Sequence, residues 1–174
     1  MCGDPMALYR SWRPNIWTAD LLEWDSETIL GRGIQWFTGR DVNHTSLVVR
    51  YLNFDSERVY TLEALAKGVY PNLLSRRLQG HKGRVFWLQL KPEFDELRPA
   101  IAREAMKYVG IRYDYGSLLK QIFAKVSAQA DALFCSELCY QAGVEAGLPI
   151  EQQYAPQPGG FSEMGVYKSR IQIF

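Results

Sequence analysis

Three residues of the types that build a thiol nucleophile lie far apart in this chain. Cys135 occurs in DALFCSELCYQAG, where an apolar stretch turns into a predicted helix. His44 opens a predicted strand in VNHTSLVVRY, and Glu63 lies in the next predicted strand, VYTLEAL. A cysteine hydrolase or acyltransferase needs a thiolate, an imidazole that exchanges protons and a group that orients the imidazole. The three residues are therefore a candidate catalytic set.

The position of Cys135 allows two interpretations. At the start of a helix, unpaired N–H groups and the helix dipole favour a thiolate, and the backbone N–H of Cys135 is placed to donate to an oxyanion. Free cysteine is also among the most buried residue types, so a structural thiol is the alternative. Cys139 follows one helical turn later and is predicted to be a core residue.

The chain has two histidines, and the surroundings of His81 in QGHKGR predict a solvated loop. His44 is then the candidate base, although a polar residue at a strand entrance is the alternative. A turn centred on Asn53 and Phe54 would place Glu63 directly across from His44, and a turn two residues later would offset the pair. In both registers the carboxylate can reach a ring nitrogen and fix its tautomer, and an exposed strand-end glutamate is the alternative.

The elements that would position these residues follow from periodicity and turn signals. We predict a strand in NIWTADLLEWDS, a helix in SETILGRGIQWFTG that ends at Gly39, a hairpin in HTSLVVRYLNFDSERVYTLEAL and a strand in RVFWLQL. Helices follow in PEFDELRPAIAREAMKYVG, where Pro99 is a candidate start, in YGSLLKQIFAKVSAQ and in LFCSELCYQAGVEAG. Strands and helices are partly segregated, which predicts an α+β fold with an antiparallel sheet packed against helices.

Composition narrows the class of protein. A length of 174 residues, with 47% hydrophobic and 22% charged residues, predicts one globular domain over residues 1–174. The net charge of +1 gives no electrostatic case for a nucleic-acid partner, and the basic residues Arg76, Arg77, Lys82 and Arg84 are predicted to form a solvated face. Three cysteines and two histidines at this spacing do not make a four-ligand zinc site, and we expect neither a metal nor a cofactor.

The N-terminal residues MCGDPMALYR lack the pattern of a secretory signal, and no apolar run is long enough to cross a membrane. We therefore expect a cytoplasmic protein without a transmembrane segment. Delivery to the cell envelope by another route stays open.

Three segments, in this order, resemble the circularly permuted branch of the NlpC-type papain-like cysteine hydrolases, the YiiX/YebB-like group. DLLEWDSETILGRGIQWFTGRDVNHTSLVVRY resembles the opening strand, the helix and the histidine-bearing strand of that group. YTLEALAKGV resembles the next strand, and VGIRYDYGSLLKQ followed by LFCSELCYQAG resembles the tyrosine segment and the nucleophile helix. The resemblance covers most of residues 16–147. Relatives often have Gly-Asp before the first strand, where this chain has Ala19 and Asp20, and we assign Asp20 no catalytic role.

The resemblance implies a papain-like, permuted NlpC-type fold in which the histidine precedes the cysteine, as it also does in the lecithin:retinol acyltransferase group. It implies Cys135 as the nucleophile at the N-terminus of its helix, His44 as the base and Glu63 as the orienting residue. Tyr113 matches a tyrosine that lies near the nucleophile in relatives and can assist the oxyanion hole. No cofactor is implied.

The implied function is that of a thiol hydrolase that cleaves an amide bond, for example in a peptidoglycan stem peptide, through an acyl-enzyme. The substrate would then be a peptide or a muropeptide. One alternative is an acyltransferase or a lipid or ester hydrolase with the same residues and an acyl-lipid substrate, in which aromatic residues line an apolar groove. The candidates for that groove are Trp17, Trp24, Trp36 and Phe37, although a core role is the simpler prediction for most of them. The other alternative is a non-catalytic binding module.

Overall fold

The structure is a computed structural model that describes residue 4 and residues 6–53, 56–65, 68–110 and 127–174. Its helices are α1 (Met6–Trp12), α2 (Ile29–Thr38), α3 (Leu74–Gln79), α4 (Arg98–Met106) and α5 (Ser127–Glu145). Its strands are β1 (Leu21–Ser26), β2 (His44–Asn53), β3 (Ser56–Leu65), β4 (Gly68–Leu73), β5 (Gly83–Leu88) and β6 (Ile171–Gln172). Short 3₁₀ segments span Arg13–Asn15, Pro92–Leu97 and Phe161–Glu163.

The six strands form one sheet in the order β4-β3-β2-β1-β5-β6, and every neighbouring pair is antiparallel. The predicted α+β class with an antiparallel sheet is therefore confirmed. In the part of the chain that the structure describes, no helix combines the length and the apolar character that crossing a membrane requires.

Helices cover both faces of this sheet. Because side chains alternate along a strand, Leu21 and Leu22 point to opposite faces. Leu21 packs in a cluster with Leu138 of α5 and Ile101 of α4, whereas Leu22 packs in a second cluster with Leu74 of α3 and with α1. The central strands are therefore buried on both sides, and we call these sides the α5 face and the α3 face.

Several predicted elements are confirmed. The hairpin of β2 and β3 forms, and α2 ends at Gly39, which has a left-handed φ of 66° and donates its N–H to the carbonyl of Gln35. Left-handed backbone after the last helical turn is a position that glycine adopts without a steric penalty. α4 begins at Arg98, with Pro99 in its first turn, where the missing N–H of proline costs nothing.

Four short elements were not predicted, namely α1, α3, β4 and β6. β4 contains Pro71, which argues against a strand because proline cannot donate to a ladder. The strand is nevertheless possible because β4 lies at the edge of the sheet. α3 and β6 are too short for a periodic hydrophobic pattern to identify them.

The helix that carries Cys135 begins earlier than the sequence predicted. It begins at Ser127 and not next to the cysteine, so Cys135 lies about two turns inside α5. The intervening SAQADA stretch is rich in alanine, the best helix former, and extends the helix toward its N-terminus. Most of the helix predicted in YGSLLKQIFAKVSAQ lies outside the described residues.

Asp20, directly before β1, joins three parts of the fold. Its Oδ2 accepts hydrogen bonds from the backbone N–H of Trp17 and from the Trp87 indole, both at 2.8 Å. Its Oδ1 accepts from the backbone N–H of Leu90 at 3.0 Å and from the Arg98 guanidinium at 2.7 Å. The carboxylate is fully buried, and these donors replace its lost hydration. Asp20 thus has a structural role, because it connects the first loop with β5 and α4.

Ala19, which precedes Asp20, has a φ of 68° and is the non-glycine residue that the structure places in the left-handed region. A Cβ atom there costs roughly 1–2 kcal/mol. The Gly-Asp pair that this position resembles in relatives would avoid that strain. This chain has an alanine in the left-handed turn that directly precedes the Asp20 hydrogen bonds.

Asp20→Ala should lower the free energy of unfolding by about 3–5 kcal/mol, because it leaves the Arg98 guanidinium buried without its main partner. Urea denaturation followed by circular dichroism measures the change. The matched control is Asp95→Ala, which removes the other carboxylate on Arg98 at a position that is 58% exposed. An exposed pair contributes less than about 1 kcal/mol, so equal losses in the two variants would contradict the anchoring role of Asp20.

Candidate active site

His44 and Glu63 lie at the same end of the β2–β3 hairpin. β2 ends at Asn53 and β3 begins at Ser56, and the ladder pairs Leu47 with Leu62. This register places Glu63 diagonal to His44, so the pair is offset and not directly opposed, as one of the two open alternatives allowed. A glutamate side chain spans such a diagonal. The contact between His44 Nε2 and Glu63 Oε2 is 3.1 Å.

Glu63 is fully buried and accepts hydrogen bonds from four side chains on four elements. Oε1 accepts from Thr61 Oγ1 and Asn72 Nδ2, each at 3.0 Å, and from Arg77 Nε at 3.2 Å. Oε2 accepts from His44 and from Arg77 Nε. Burial by itself raises the pKa of Glu63, but the hydrogen bond from His44 and the charges of His44 and Arg77 outweigh it and lower the pKa to about 2. The carboxylate therefore stays charged inside the protein.

Arg77, predicted as part of a solvated face, is instead a component of this site. Its side chain is 28% exposed, and its guanidinium lies 4.6 Å from the ring centroid of Trp24. Trp24 is buried and donates its indole N–H to Ser46 Oγ at 2.8 Å. Stacking on an indole is a favourable position for a guanidinium, and it aims Arg77 at Glu63.

Three of the groups that hold Glu63 were not predicted as site residues from the sequence, namely Thr61, Asn72 and Arg77. Thr61 shares a strand face with Glu63, and the period-two alternation of β3 contained that signal. Asn72 and Arg77 lie in β4 and α3, which no pattern predicted. Their roles become visible only when these elements are placed beside β3.

Cys135 reaches the other side of the His44 ring. Burial lowers the pKa of His44, but the charge of Cys135, the hydrogen bond between thiol and ring, and Glu63 together raise the pKa to about 10. Since Nε2 is bound by Glu63, Nδ1 is the ring nitrogen that remains for the thiol. The arrangement therefore favours the protonated form of the His44 ring, which lies between a buried carboxylate and the thiol.

His44 joins residues that approach from different faces of the sheet. Cys135 belongs to the cluster on the α5 face, whereas Glu63 contacts Arg77 of α3 on the α3 face. His44 is the first residue of β2, so its ring lies at the end of the strand, where both partners can reach it. The structure thus brings together Cys135, His44 and Glu63. The remaining predicted site residue, Tyr113, lies outside the described residues.

The interior position of Cys135 in α5 changes its expected electrostatics. The free N–H groups of a helix belong to its first turn, and an N–H two turns further on is bonded to the carbonyl four residues before it. The dipole support and the oxyanion donor that we expected from a helix start at Cys135 are therefore wrong. Within the described residues, His44 is the ionisable group that forms a hydrogen bond with the Cys135 thiol.

The second cysteine and the second histidine are separate from this contact. Cys139 is buried in the hydrophobic cluster of the α5 face, as predicted, and burial, followed by the charge of Cys135, raises its pKa well above the usual value. His81 is not fully solvated, because its ring packs edge-on against Trp24 at 5.1 Å between centroids. Burial and the charge of Arg77 lower the pKa of His81.

Comparison with known proteins gives a likeness of fold. No family model matches the sequence, and no curated protein sequence matches it. Among solved structures, the crystal structure of the metalloprotein yiiX from Escherichia coli O157:H7 is similar, with a TM-score of 0.56 and 23% sequence identity. The similarity covers 75% of this chain and 66% of that chain, so the chain spans less than two thirds of the length of yiiX. The two proteins share a fold over the matched part.

Cys135 should be alkylated faster than Cys139 at mildly acidic pH. Both thiols are buried, so both reactions depend on local opening, but a histidine ring contacts Cys135, whereas burial raises the pKa of Cys139 well above its usual value. Brief treatment with iodoacetamide followed by peptide mapping gives the two rates. In His44→Ala the rate at Cys135 should fall toward that of Cys139. Equal labelling of the two cysteines in the unaltered protein would contradict this effect of His44.

Because of Glu63, the free energy of unfolding should depend on pH in the acidic range. Its pKa is lowered in the folded protein from 4.5 to about 2, so its contribution is fully present above pH 4.5 and is lost as the pH falls toward 2. Relative to Glu63→Gln, which does not titrate, the free energy of unfolding should fall by about 3 kcal/mol across this interval. Urea titrations of both proteins at several pH values measure the difference. A constant difference would show that Glu63 is not held as a carboxylate.

Proposed function

We propose that this protein is a cysteine hydrolase of the permuted NlpC-type, papain-like kind, which cleaves an amide bond through an acyl-enzyme. The observation that supports the proposal is the contact of the Cys135 thiol with a histidine whose other ring nitrogen is held by a buried carboxylate. This is the arrangement of nucleophile, base and orienting group that thiol catalysis requires.

In the proposed reaction, the Cys135 thiolate attacks the carbonyl carbon of the substrate and forms a tetrahedral intermediate. Its collapse breaks the bond to nitrogen, and the proton held by His44 passes to the leaving amine. The product of this half-reaction is a thioester on Cys135. His44, now neutral, accepts a proton from water as the water attacks the thioester, and the carboxylic acid leaves with Cys135 regenerated.

Glu63 takes no proton in this scheme. Its low pKa means that it stays a carboxylate while His44 changes charge, so it orients the ring and stabilises the imidazolium. Arg77, Asn72 and Thr61 are positioning residues in turn, because they hold the carboxylate and do not contact the thiol through any bond that the structure shows.

The Cys135 thiol has no exposed surface, and the side chain of His44 is 13% exposed. A substrate carbonyl must come within contact distance of the sulfur for attack. The proposal therefore includes a local opening around Cys135 when substrate binds, and the exposed part of His44 marks the side from which the thiol is nearest to solvent.

The fold neighbour yiiX is named a metalloprotein, so the fit of a metal to this chain is a relevant test. Among the described residues there is no group of three or more His, Cys, Asp and Glu side chains that could hold a metal ion. Both oxygens of Glu63 already accept hydrogen bonds, and the guanidinium of Arg77 lies where a cation would be repelled. The donor set does not fit a metal, and no step of the proposed reaction passes through one.

A second candidate is an acyltransferase or lipid hydrolase that uses the same thiol. The observation that favours it is the exposure of two tryptophans, Trp36 at 87% and Trp17 at 50%, which are available to an apolar substrate. Trp24, also considered for such a groove, is fully buried and is not available. The side chain of Phe37 lies outside the description.

Cys135→Ala and His44→Ala should each reduce turnover by at least about 1,000-fold, because nucleophile and base act as one unit. Glu63→Gln should lose less, since an amide oxygen can still accept from the ring although it cannot stabilise the imidazolium. A panel of amide, muropeptide and acyl-ester substrates, assayed with and without an added amine or alcohol acceptor, distinguishes the hydrolase from the acyltransferase.

Cys139→Ala is the matched control, because it removes a buried thiol one helical turn away and should retain turnover. Circular dichroism and urea titration establish that each variant is folded. Full activity of Cys135→Ala would make that thiol a packing residue and would contradict both candidates. If no compound of the panel is turned over, and a compound that the unaltered protein binds is bound equally well by Cys135→Ala, the result would indicate a binding module.

A further inference from the structure

Glu23 and Thr45 form a buried polar pair on the α5 face of the sheet. They are cross-strand partners in β1 and β2, and both are fully buried. By alternation they share a face with Leu21 and Leu47, which pack in the hydrophobic cluster of α5. An acid and a hydroxyl group therefore lie inside an otherwise apolar interface, outside the contact of Cys135 with His44.

The hydrogen bonds within the structure satisfy only part of this pair. Glu23 Oε1 accepts from the backbone N–H of Gly159 at 3.0 Å. In the part of the chain that the structure describes, Glu23 Oε2 and Thr45 Oγ1 have no hydrogen-bond partner. Arg170 Nη1 lies 3.8 Å from Oε2, which is too far for a direct hydrogen bond. Glu23 Oε2 thus lies next to a guanidinium to which it is not directly bonded, and the hydroxyl group of its cross-strand neighbour Thr45 is also without a partner.

We propose that Glu23 Oε2, Thr45 Oγ1 and Arg170 Nη1 form an internal site that binds a water molecule between the sheet and the segment that carries Arg170. Buried water is typically held by about three hydrogen bonds to groups that otherwise lack partners. Here the water donates to Glu23 and to Thr45 and accepts from Arg170. A separation between polar atoms beyond hydrogen-bond distance is also the spacing that a bridging water spans.

The charges at the site select a neutral ligand. Arg170 disfavours a metal or other cation, and the carboxyl group of Glu23 disfavours an anion. The charged and titratable groups that act on Glu23 are Arg170, Asp41 and Arg40, with Cys139 on α5. The backbone N–H groups of Gly159 and Phe161 also stabilise its carboxylate. The donors and acceptors that remain match water, which can donate and accept at the same time.

The protonation of Glu23 is compatible with this ligand. Burial raises its pKa to about 7, against the charge of Arg170 and the N–H of Gly159, so the group exchanges a proton near neutral pH. As a carboxylate it accepts from the water, and as a carboxylic acid it donates to the water. The hydrogen bond between Glu23 and the water can therefore form in both protonation states of Glu23.

The site fastens the C-terminal part of the chain to the central strands. Gly159 and Arg170 follow α5 in the chain, and both contact Glu23 of β1. Arg170 is fixed on its outer side by Asp41, with distances of 2.8 and 2.7 Å to the two carboxylate oxygens. The bound water completes this connection on the inner side, independently of the proposed catalytic chemistry.

A crystal structure at high resolution tests the site directly. We expect a well-ordered water within hydrogen-bond distance of Glu23 Oε2 and Thr45 Oγ1. Well-defined density for both side chains with no water between them would overturn the proposal.

Thr45→Val gives a second, independent test. The urea midpoint should change in opposite directions depending on whether the Thr45 hydroxyl binds a water molecule or has no partner. If water is bound, loss of the hydroxyl removes one of its partners, and the urea midpoint should fall by about 0.5 M. If the hydroxyl is simply unsatisfied, an apolar group of the same shape should raise the midpoint, and that result would overturn the proposal. Thr38→Val is the matched control for replacing a threonine by a valine. The Thr38 hydroxyl donates directly to the carbonyl of Ile34 at 2.9 Å, so this variant loses a hydrogen bond that involves no water.

Discussion

The burial of the Glu63 carboxylate is the constraint on which the rest of the candidate site depends. A charge inside a protein is tolerated only when donors replace its lost hydration. These donors come from β2, β3, β4 and α3, so the hairpin, the edge strand and the short helix after it must all be in place. Once Glu63 is held, the His44 ring has one orientation, and its second nitrogen is available to the thiol. The geometry at Cys135 is therefore set from the opposite face of the sheet.

Three buried carboxylates divide between different roles in this fold, and their hydrogen bonds separate these roles. Asp20 accepts from four donors that connect the first loop, β5 and α4, and it holds the architecture together. Glu63 is equally well satisfied, but one of its donors is the titratable ring of His44. Glu23 accepts one backbone N–H through Oε1, and its other oxygen has no partner among the described residues. An unsatisfied buried group is where a bound molecule is to be sought.

The likeness to yiiX illustrates that a fold constrains chemistry only in part. The sheet and its covering helices bring distant segments to one place, and side chains at that place decide the reaction. In this chain the cationic neighbour of the buried carboxylate is the guanidinium of Arg77. A guanidinium at that position keeps the Glu63 carboxylate charged.

The amino-acid sequence by itself determined what depends on local pattern. The alternation in β2 and β3, the glycine after α2 and the proline in the first turn of α4 all predicted elements that the structure contains. Residue type and surroundings also singled out Cys135 and His44, and the hairpin pattern singled out Glu63 as the carboxylate on the strand next to His44.

The tertiary structure alone decided how these residues meet. It set the diagonal register of His44 and Glu63, the interior position of Cys135 in α5, and the approach of Asn72 and Arg77 to the carboxylate. Periodicity states which face of an element a residue occupies, but it contains no information on register or on which elements come together. Those follow from the packing of both faces of the sheet and from the need of each buried charge for donors, which are properties of the whole chain.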